Sequence, residues 1–337
     1  MPSNVVNKLG AWVRFLLQSD RPDGNGNGDA RANRKRQQFF TRKDAGMQYQ
    51  RRQFLTAMGT VAAGGSALPA IAAENNGLVE PVHRVANSSA GVLHAAKPLD
   101  RALQMAREAL DSCRANINDY TAILVKRENV GGTIGEQEFM YTKIRNRKVA
   151  SGRVVQPLSV YIQFLKPTTV KGREVIYVEG QNNGNLVAHE GGFKGKFLPT
   201  VTIPPDGMLA MRGQRYPMTE VGIENLIVKL IERGETARKY PDVTCEFRRN
   251  ARVKDRVCTV LQVTQPTRRP ELIFYQAQIF IDDQLKVPIR YVAYDWPRRA
   301  GDPLQVIEEY TYLNLKTNIG LTDADFDPRN QAYNFYS

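Results

Sequence analysis

Leu158-Ser159-Val160-Tyr161-Ile162-Gln163-Phe164 alternates without a break: Leu158, Val160, Ile162 and Phe164 fall on one side, Ser159, Tyr161 and Gln163 on the other. Successive side chains of a strand point to opposite faces, so a period of two reads as a strand with one face against a core. One-sided strands belong to antiparallel sheets that have something to cover. Downstream, residues 174–179 read as a second strand. Gln181-Asn182-Asn183-Gly184 reads as the hairpin turn into 186–189, since Asn and Gly accept left-handed backbone. Residues 191–213 are rich in Gly and Pro and break the pattern. The last hundred or so residues resume it as a meander over 243–249, 256–264, 271–282, 286–295 and 304–315, with Asp282-Asp283-Gln284 as a turn.

The cover for such a sheet lies elsewhere in the chain. Leu99, Leu103, Ala106, Leu110, Cys113 and Ile117 recur at spacings of three and four. That is the stripe of an amphipathic helix over 99–117, with Pro98 and Asp100 suited to its start. Ile223, Leu226, Ile227, Leu230 and Ile231 form a second stripe over 219–233, with Thr219 as N-cap and Gly234 as C-terminal cap. Two helices and about ten strands predict one α+β domain over 98–337, a curved antiparallel sheet wrapped around a helix.

Before the domain stands a leader. Gln50-Arg51-Arg52-Gln53-Phe54-Leu55 is followed by a weakly apolar stretch to Ile71 and by Ala70-Ile71-Ala72, a small-x-small cleavage site. A positive start, an apolar middle and a small-residue exit make a targeting signal, and the arginine pair is the address of the twin-arginine route. Gln50 stands where Ser or Thr is usual and Thr56 where Lys is common, so an ordinary Sec signal is the alternative. Gly59, Gly64 and Gly65 argue against a permanent anchor, which needs ~20 strongly apolar residues. The signal spans 47–73 and an Asn-, Ser- and Ala-rich linker spans 74–97. Residues 1–46 carry the low-complexity run Gly24-Asn25-Gly26-Asn27-Gly28 and a basic cluster, Arg31, Arg34, Lys35 and Arg36. They read as a disordered extension ahead of a translation start at Met47.

The leader also explains the charge. The chain holds 47 Lys and Arg against 34 Asp and Glu, a net +13. Residues 1–73 contain eleven of the basic and four of the acidic side chains, which leaves 36 against 30, a net +6, on the exported part. A nucleic-acid partner is therefore not expected, while an anionic envelope surface remains one. Cys113, Cys245 and Cys258 read as small buried hydrophobes, although Cys245 and Cys258 fall on neighbouring strands.

Catalytic patterns are missing. There is no Gly-x-Ser-x-Gly, His-Glu-x-x-His or Cys-x-x-Cys. Gly191-Gly192-Phe193-Lys194-Gly195-Lys196 has the wrong glycine spacing for a phosphate loop, and Phe197 stands where a hydroxyl is required. His189 is the domain's one histidine; with Glu174, Glu179 and Glu190 it offers the best alternative, a metal-dependent or acid/base hydrolase. Glu308 and Glu309 are adjacent on a strand and must face opposite ways. Asp282-Asp283 is turn chemistry, and Asp323 and Asp325 lie in a polar tail. Arg248, Arg249, Arg252, Lys254, Arg256, Arg268, Arg269, Arg298 and Arg299 cluster at turns, as solvated strand ends or a rim for anionic headgroups. No catalytic residue, metal ligand or cofactor is assigned.

Gly172-Arg173-Glu174-Val175-Ile176-Tyr177-Val178-Glu179-Gly180, Leu186-Val187-Ala188-His189, Arg215-Tyr216-Pro217-Met218-Thr219 with Gly222-Ile223, and Leu321-Thr322-Asp323-Ala324-Asp325-Phe326-Asp327-Pro328 resemble a secreted bacterial family of unknown function, family 1571. The closing strand order, with Val287-Pro288-Ile289, Asn314-Leu315 and Asp325-Phe326, more loosely resembles the LolA/LolB-type lipoprotein-carrier superfamily. That likeness implies a half-open barrel with helices in its mouth and an apolar ligand between sheet and helices. On this reading the protein is a periplasmic or otherwise extracytoplasmic, non-enzymatic binder of a lipid, acyl chain or other apolar molecule. Leu103, Leu110, Leu158, Val160, Ile162, Phe164 and Tyr275 are the expected cavity residues. A module that binds another envelope protein through a sheet edge is the third reading. Mass spectrometry of the producing cells should find peptides from residue 47 onward and none from 1–46; peptides from 1–46 would overturn the Met47 start.

Overall fold

The computed structural model describes residues 98–336 together with a two-residue strand at 83–84. The extension, the leader with Arg51, Arg52, Ala70 and Ala72, and most of the linker lie outside the described residues.

Strand β1 (His83–Arg84) falls within the stretch read as linker and pairs with a strand far along the chain. Helix α1 (Pro98–Asn116) carries the first apolar stripe. Then come β2 (Asp119–Val130), β3 (Thr133–Ile134), β4 (Glu138–Arg145), the small hairpin β5 (Lys148–Ala150) and β6 (Arg153–Gln156), and β7 (Ser159–Lys166). β8 (Glu174–Val178), β9 (Leu186–His189), the single turn α2 (Gly192–Gly195) and β10 (Val201–Ile203) follow. Helix α3 (Ile223–Ala237) leads into β11 (Thr244–Val253), β12 (Arg256–Thr264), β13 (Gln276–Asp282), β14 (Pro288–Tyr294) and β15 (Val306–Thr317).

The main sheet is antiparallel, with strand order β1-β11-β12-β13-β14-β15-β2-β4-β7-β8-β9-β10 and β3 alongside β2. It consists of two meanders, one before α3 and one after it. The joint between them is the β15–β2 ladder, from Glu308↔Glu128 to Thr317↔Tyr120. The sheet is not closed: β1 and β10 are its edges. Register shifts between Arg248 and Ala251, Phe280 and Ile281, Ala293 and Tyr294, and Leu313 and Lys316 supply bulges, and bulges bend and twist a sheet. The fold is thus α+β with a curved antiparallel sheet. The thirteen strands of this sheet exceed the expected ten because β1, β3 and β10 are two or three residues long, too short to show a period.

Both helices lie against the second meander. Leu99 and Ala102 of α1 and Ala237 of α3 share one core with Val263, Phe274, Ile279 and Tyr291 of the sheet region. On the outer face of the first meander, Tyr161, Ile176, Val178 and Val187 are covered by Phe326, Tyr333 and Phe335 from the chain's last segment. Tyr333 stacks on Tyr161 at 4.3 Å, and Asp325 pairs with Lys143 at 2.7 Å. The polar tail of the sequence is therefore a strap over an apolar face.

Two helix ends differ from expectation. Gly234 is not a cap; α3 runs through it to Ala237. A Cβ there would stand 2.7 Å from Leu103 Cδ2, so α1 and α3 meet closely at this glycine. Thr219 is not the N-cap either. Gly222, at φ 125, takes that place and offers no side chain. The exposed first N–H groups of a helix need partners. Here the Tyr120 hydroxyl accepts from Ile223 N at 2.8 Å, a bond from β2 to the helix start. Tyr120 is wholly buried. Tyr120→Phe leaves that N–H without a partner and should lower stability by about 1–3 kcal/mol in urea unfolding, with little change in the folded spectrum.

Candidate functional site

A cavity of about 400 Å³ lies between α1, α3 and strands β12–β14. Leu103 and Ala106 line it from α1, Ile227 and Leu230 from α3, and Val263 and Ile279 from the sheet. Its origin is legible in side-chain size. Ala102, Ala106 and Ala109 follow one another on α1 at helical spacing, and Ala237, Ala277 and Gly234 face them. The helices are held close, but these residues fill little of the space beneath. Few polar side chains reach the wall: Glu108, Ser112, Arg233, Gln265 and Lys286.

Arg233 belongs to a buried network that separates this cavity from a second, smaller one of about 90 Å³, which it also lines. Its Nη1 donates to Glu308 Oε1 at 3.0 Å and to the Tyr291 hydroxyl at 2.8 Å, and Nη2 donates to the Tyr216 hydroxyl at 2.6 Å. Tyr216 and Tyr291 in turn donate to Glu308 at 2.7 and 3.0 Å, and Arg215 Nε adds a bond at 3.1 Å. Glu308 is 1% exposed, yet both of its oxygens are satisfied by charged and phenolic donors. Directly across the ladder, Glu128 accepts from Arg215 N at 3.0 Å and from the Tyr310 hydroxyl. Burial works against the Arg233 charge, but Tyr291, Glu308 and Tyr216 more than offset it and its pKa lies above the ordinary guanidinium value. Burial likewise pushes the Tyr291 phenol well above 10, with Glu308 adding to the effect. Glu309 points to the other face and pairs with Arg290, so the two adjacent glutamates part as strand geometry requires.

Among the residues named from the sequence, Leu103 lines the larger cavity. Leu110 is half-buried on α1 and is not part of the wall. Val160, Ile162 and Phe164 are buried on β7, opposite Ile144, Thr142 and Met140, and so share the inner face with Tyr120. In strand order, however, β4, β2 and β15 stand between β7 and the strands beneath the cavity. Leu158 is half-buried ahead of β7, and Tyr275 is half-buried with its backbone bonded to Gln265 and Tyr294; neither is in the wall. Sequence reasoning missed the alanine stripe on α1, Arg233, Glu308 and Gln265. The stripe was readable at spacing four and three; the partners of Glu308 come from three separate segments, at 215–216, 233 and 291, and were not.

His189 lies opposite Glu174 on the β8–β9 ladder and beside Glu190. Its Nδ1 is 3.1 Å from Thr200 Oγ1, and burial lowers its pKa from the ordinary 6.5. Glu174 accepts from the Tyr161 hydroxyl at 2.9 Å, Gln163 at 3.3 Å and Asn334 N at 2.7 Å; Glu190 pairs with Arg173 at 2.9 Å and Glu179 with Arg147 at 2.9 Å. These groups tie the strap and turns to the sheet. Among the described residues no set of three or more His, Cys, Asp and Glu side chains is arranged to hold a metal ion. Cys113, Cys245 and Cys258 are free and buried, with burial pushing each thiol up to about 12. Cys245 sits opposite Val263 and Cys258 opposite Ala251, so the register does not bring them face to face. Of the basic turns, Arg256 pairs with Asp282 at 2.7 Å, Arg268 with Asp295 at 2.7 Å and Arg269 with Asp242 at 3.0 Å.

The model of a family described as a protein of unknown function (DUF1571) matches residues 117–335. The chain belongs to that family. The match covers the whole sheet from β2 onward, the network and the strap. No curated protein matches. Among solved structures, a putative outer membrane lipoprotein-sorting protein domain from Vibrio parahaemolyticus is 11% identical, over 68% of this chain and 97% of that one, with a TM-score of 0.32. A LolA superfamily protein from Nitrosomonas europaea is 12% identical, over 67% and 97%, with a TM-score of 0.27. A MucA/MucB complex from Pseudomonas aeruginosa includes a chain 14% identical, over 67% and 60%, with a TM-score of 0.39. No helix among the described residues is long and apolar enough to cross a membrane.

Removing one member of a buried ion pair leaves the other charge without compensation. Glu308→Leu should therefore cost about 3–5 kcal/mol in chemical denaturation, and adding Arg233→Met to that variant should recover a large part of the loss.

Proposed function

We propose that the protein is exported and holds a lipid, an acyl chain or another apolar molecule between the α1–α3 pair and β12–β14, without catalysing a reaction. The observation that carries this reading is the cavity: about 400 Å³, walled by leucine, isoleucine, valine and alanine from two helices and a sheet. Ligand sites are concave, largely apolar and of ~300–1,000 Å³, with a few polar groups for orientation. The wall described above has that composition. The carboxylates and the histidine that an enzyme would need are engaged in holding the sheet and strap together, and the strongest charge cluster is neutralised from within. The leader at 47–73 supports delivery by the twin-arginine route to an extracytoplasmic site, where an apolar molecule or a membrane surface is a natural partner.

Protein purified from its own host and examined by native mass spectrometry should carry a bound lipid or other apolar small molecule that organic extraction removes. Ala106→Trp places an indole in the cavity and should abolish that co-purification while the protein stays folded. A wild-type protein that carries no such molecule and takes up none in vitro would overturn the reading.

A further inference from the structure

Gly191-Gly192-Phe193-Lys194-Gly195-Lys196-Phe197, which lacks the spacing of a phosphate loop, forms a knuckle between β9 and β10. Its middle is the single turn α2, closed by Gly195 N donating to Gly191 O at 3.2 Å, and Leu198 N donates to Gly195 O at 3.3 Å. The turn is seated on backbone. A Cβ at Gly191 would run into Gly172, and one at Gly195 into the Glu190 carbonyl. Phe193 and Phe197 are 77% and 72% exposed, and their rings meet edge to face at 5.2 Å. Single apolar side chains are ordinary on a protein surface, but two touching phenyl rings make a patch. The strap covers Tyr161, Ile176 and Val187 on the neighbouring strands and leaves these rings bare.

The charge around the rings has one sign. Lys196 lies between them in sequence, and Lys171 belongs to the turn against which Gly191 packs; both are exposed. The carboxylates of residues 166–200 are engaged elsewhere: Glu174 by Tyr161, Gln163 and Asn334 N, Glu179 by Arg147, and Glu190 by Arg173. An apolar tip flanked by lysines fits the boundary of an anionic bilayer, where phenyl rings enter the edge of the acyl region and lysines keep their charge at the headgroups. A specific protein partner needs roughly 1,000 Å² of contact, which two rings on one turn do not supply.

We infer that the Phe193–Phe197 knuckle docks the protein on the surface of an anionic lipid bilayer, with the two rings inserted at headgroup depth and Lys171 and Lys196 against the lipid phosphates. The inference rests on the exported reading, which brings the chain to an envelope membrane. It does not depend on what fills the cavity. In strand order β15, β2, β4, β7 and β8 stand between β14, beneath the cavity, and β9, from which the knuckle rises.

The test is flotation of the protein, purified from its own host, with vesicles of phosphatidylcholine alone or mixed equally with phosphatidylglycerol. Wild type should float with the mixed vesicles. Phe193→Ser and Phe197→Ser should each weaken that binding by about tenfold. Both should unfold at the wild-type temperature, since the rings they remove are exposed. Lys171→Gln combined with Lys196→Gln should weaken binding to the mixed vesicles by about thirtyfold and leave binding to phosphatidylcholine unchanged. In Phe197→Trp the added indole emission should shift to the blue on mixed vesicles and be quenched by brominated acyl chains. Wild type that does not float with the mixed vesicles, or that floats as well after both serine substitutions, overturns the inference. So does self-association in gel filtration that the serine substitutions abolish, with no flotation, which would make the knuckle a contact between copies. Each of these results leaves the apolar-ligand reading standing if a lipid still co-purifies in the native mass spectrum.

Discussion

Glu308 of β15 and Glu128 of β2 face one another across the ladder that joins the two halves of the sheet. Two buried carboxylates in register would repel and destabilise a bare strand pair. Here the repulsion is answered by donors around the pair: the Arg215 guanidinium and Arg233 bind Glu308, the Arg215 backbone N–H donates to Glu128, and Lys126 on the same strand lies 3.5 Å from Glu128. The joint between the meanders is thus bonded to the segment at 215–216 and to helix α3.

That coupling explains where the cavity sits. Arg233 draws α3 to β14 and β15, and Gly234, one residue further on, draws α1 to α3. With both helices fixed by these short contacts, the alanines of α1 face the sheet at a separation set by polar bonding and glycine packing. An apolar core left to itself closes its voids as far as it can. Here the helix positions are held by contacts beside the void, so the space remains. Arg233 forms wall to both cavities.

The strap works in the same manner on the other face. Tyr333 on Tyr161 and Asn334 on Glu174 cover a sheet face that would otherwise be an exposed apolar patch, and Thr200 carries the contact on to His189. The histidine and its acidic neighbours, which as residue types invite a catalytic reading, are bonded to the strap and to neighbouring strands. Residue type alone does not distinguish the two uses; the donors around each carboxylate do.

By itself the sequence determined the elements. The period of two at 158–164, the stripes at 99–117 and 223–231 and the turn residues at 182–184 and 282–284 depend on local geometry, and each names its element without help from distant residues. It also determined the class, α+β with a curved antiparallel sheet, because one-sided strands and one-sided helices must cover each other. Tertiary structure alone decided the roles. Gly234 reads as a helix stop but acts as a contact surface, since only the approach of Leu103 shows what a Cβ would meet. Glu308 reads only as one of two adjacent strand carboxylates that face opposite ways, but it is the centre of the buried network, since its partners lie at 215, 216, 233 and 291. Val160, Ile162 and Phe164 have the right face but stand in the wrong part of the sheet to line the cavity, because strand order is set by long-range pairing that no local period encodes.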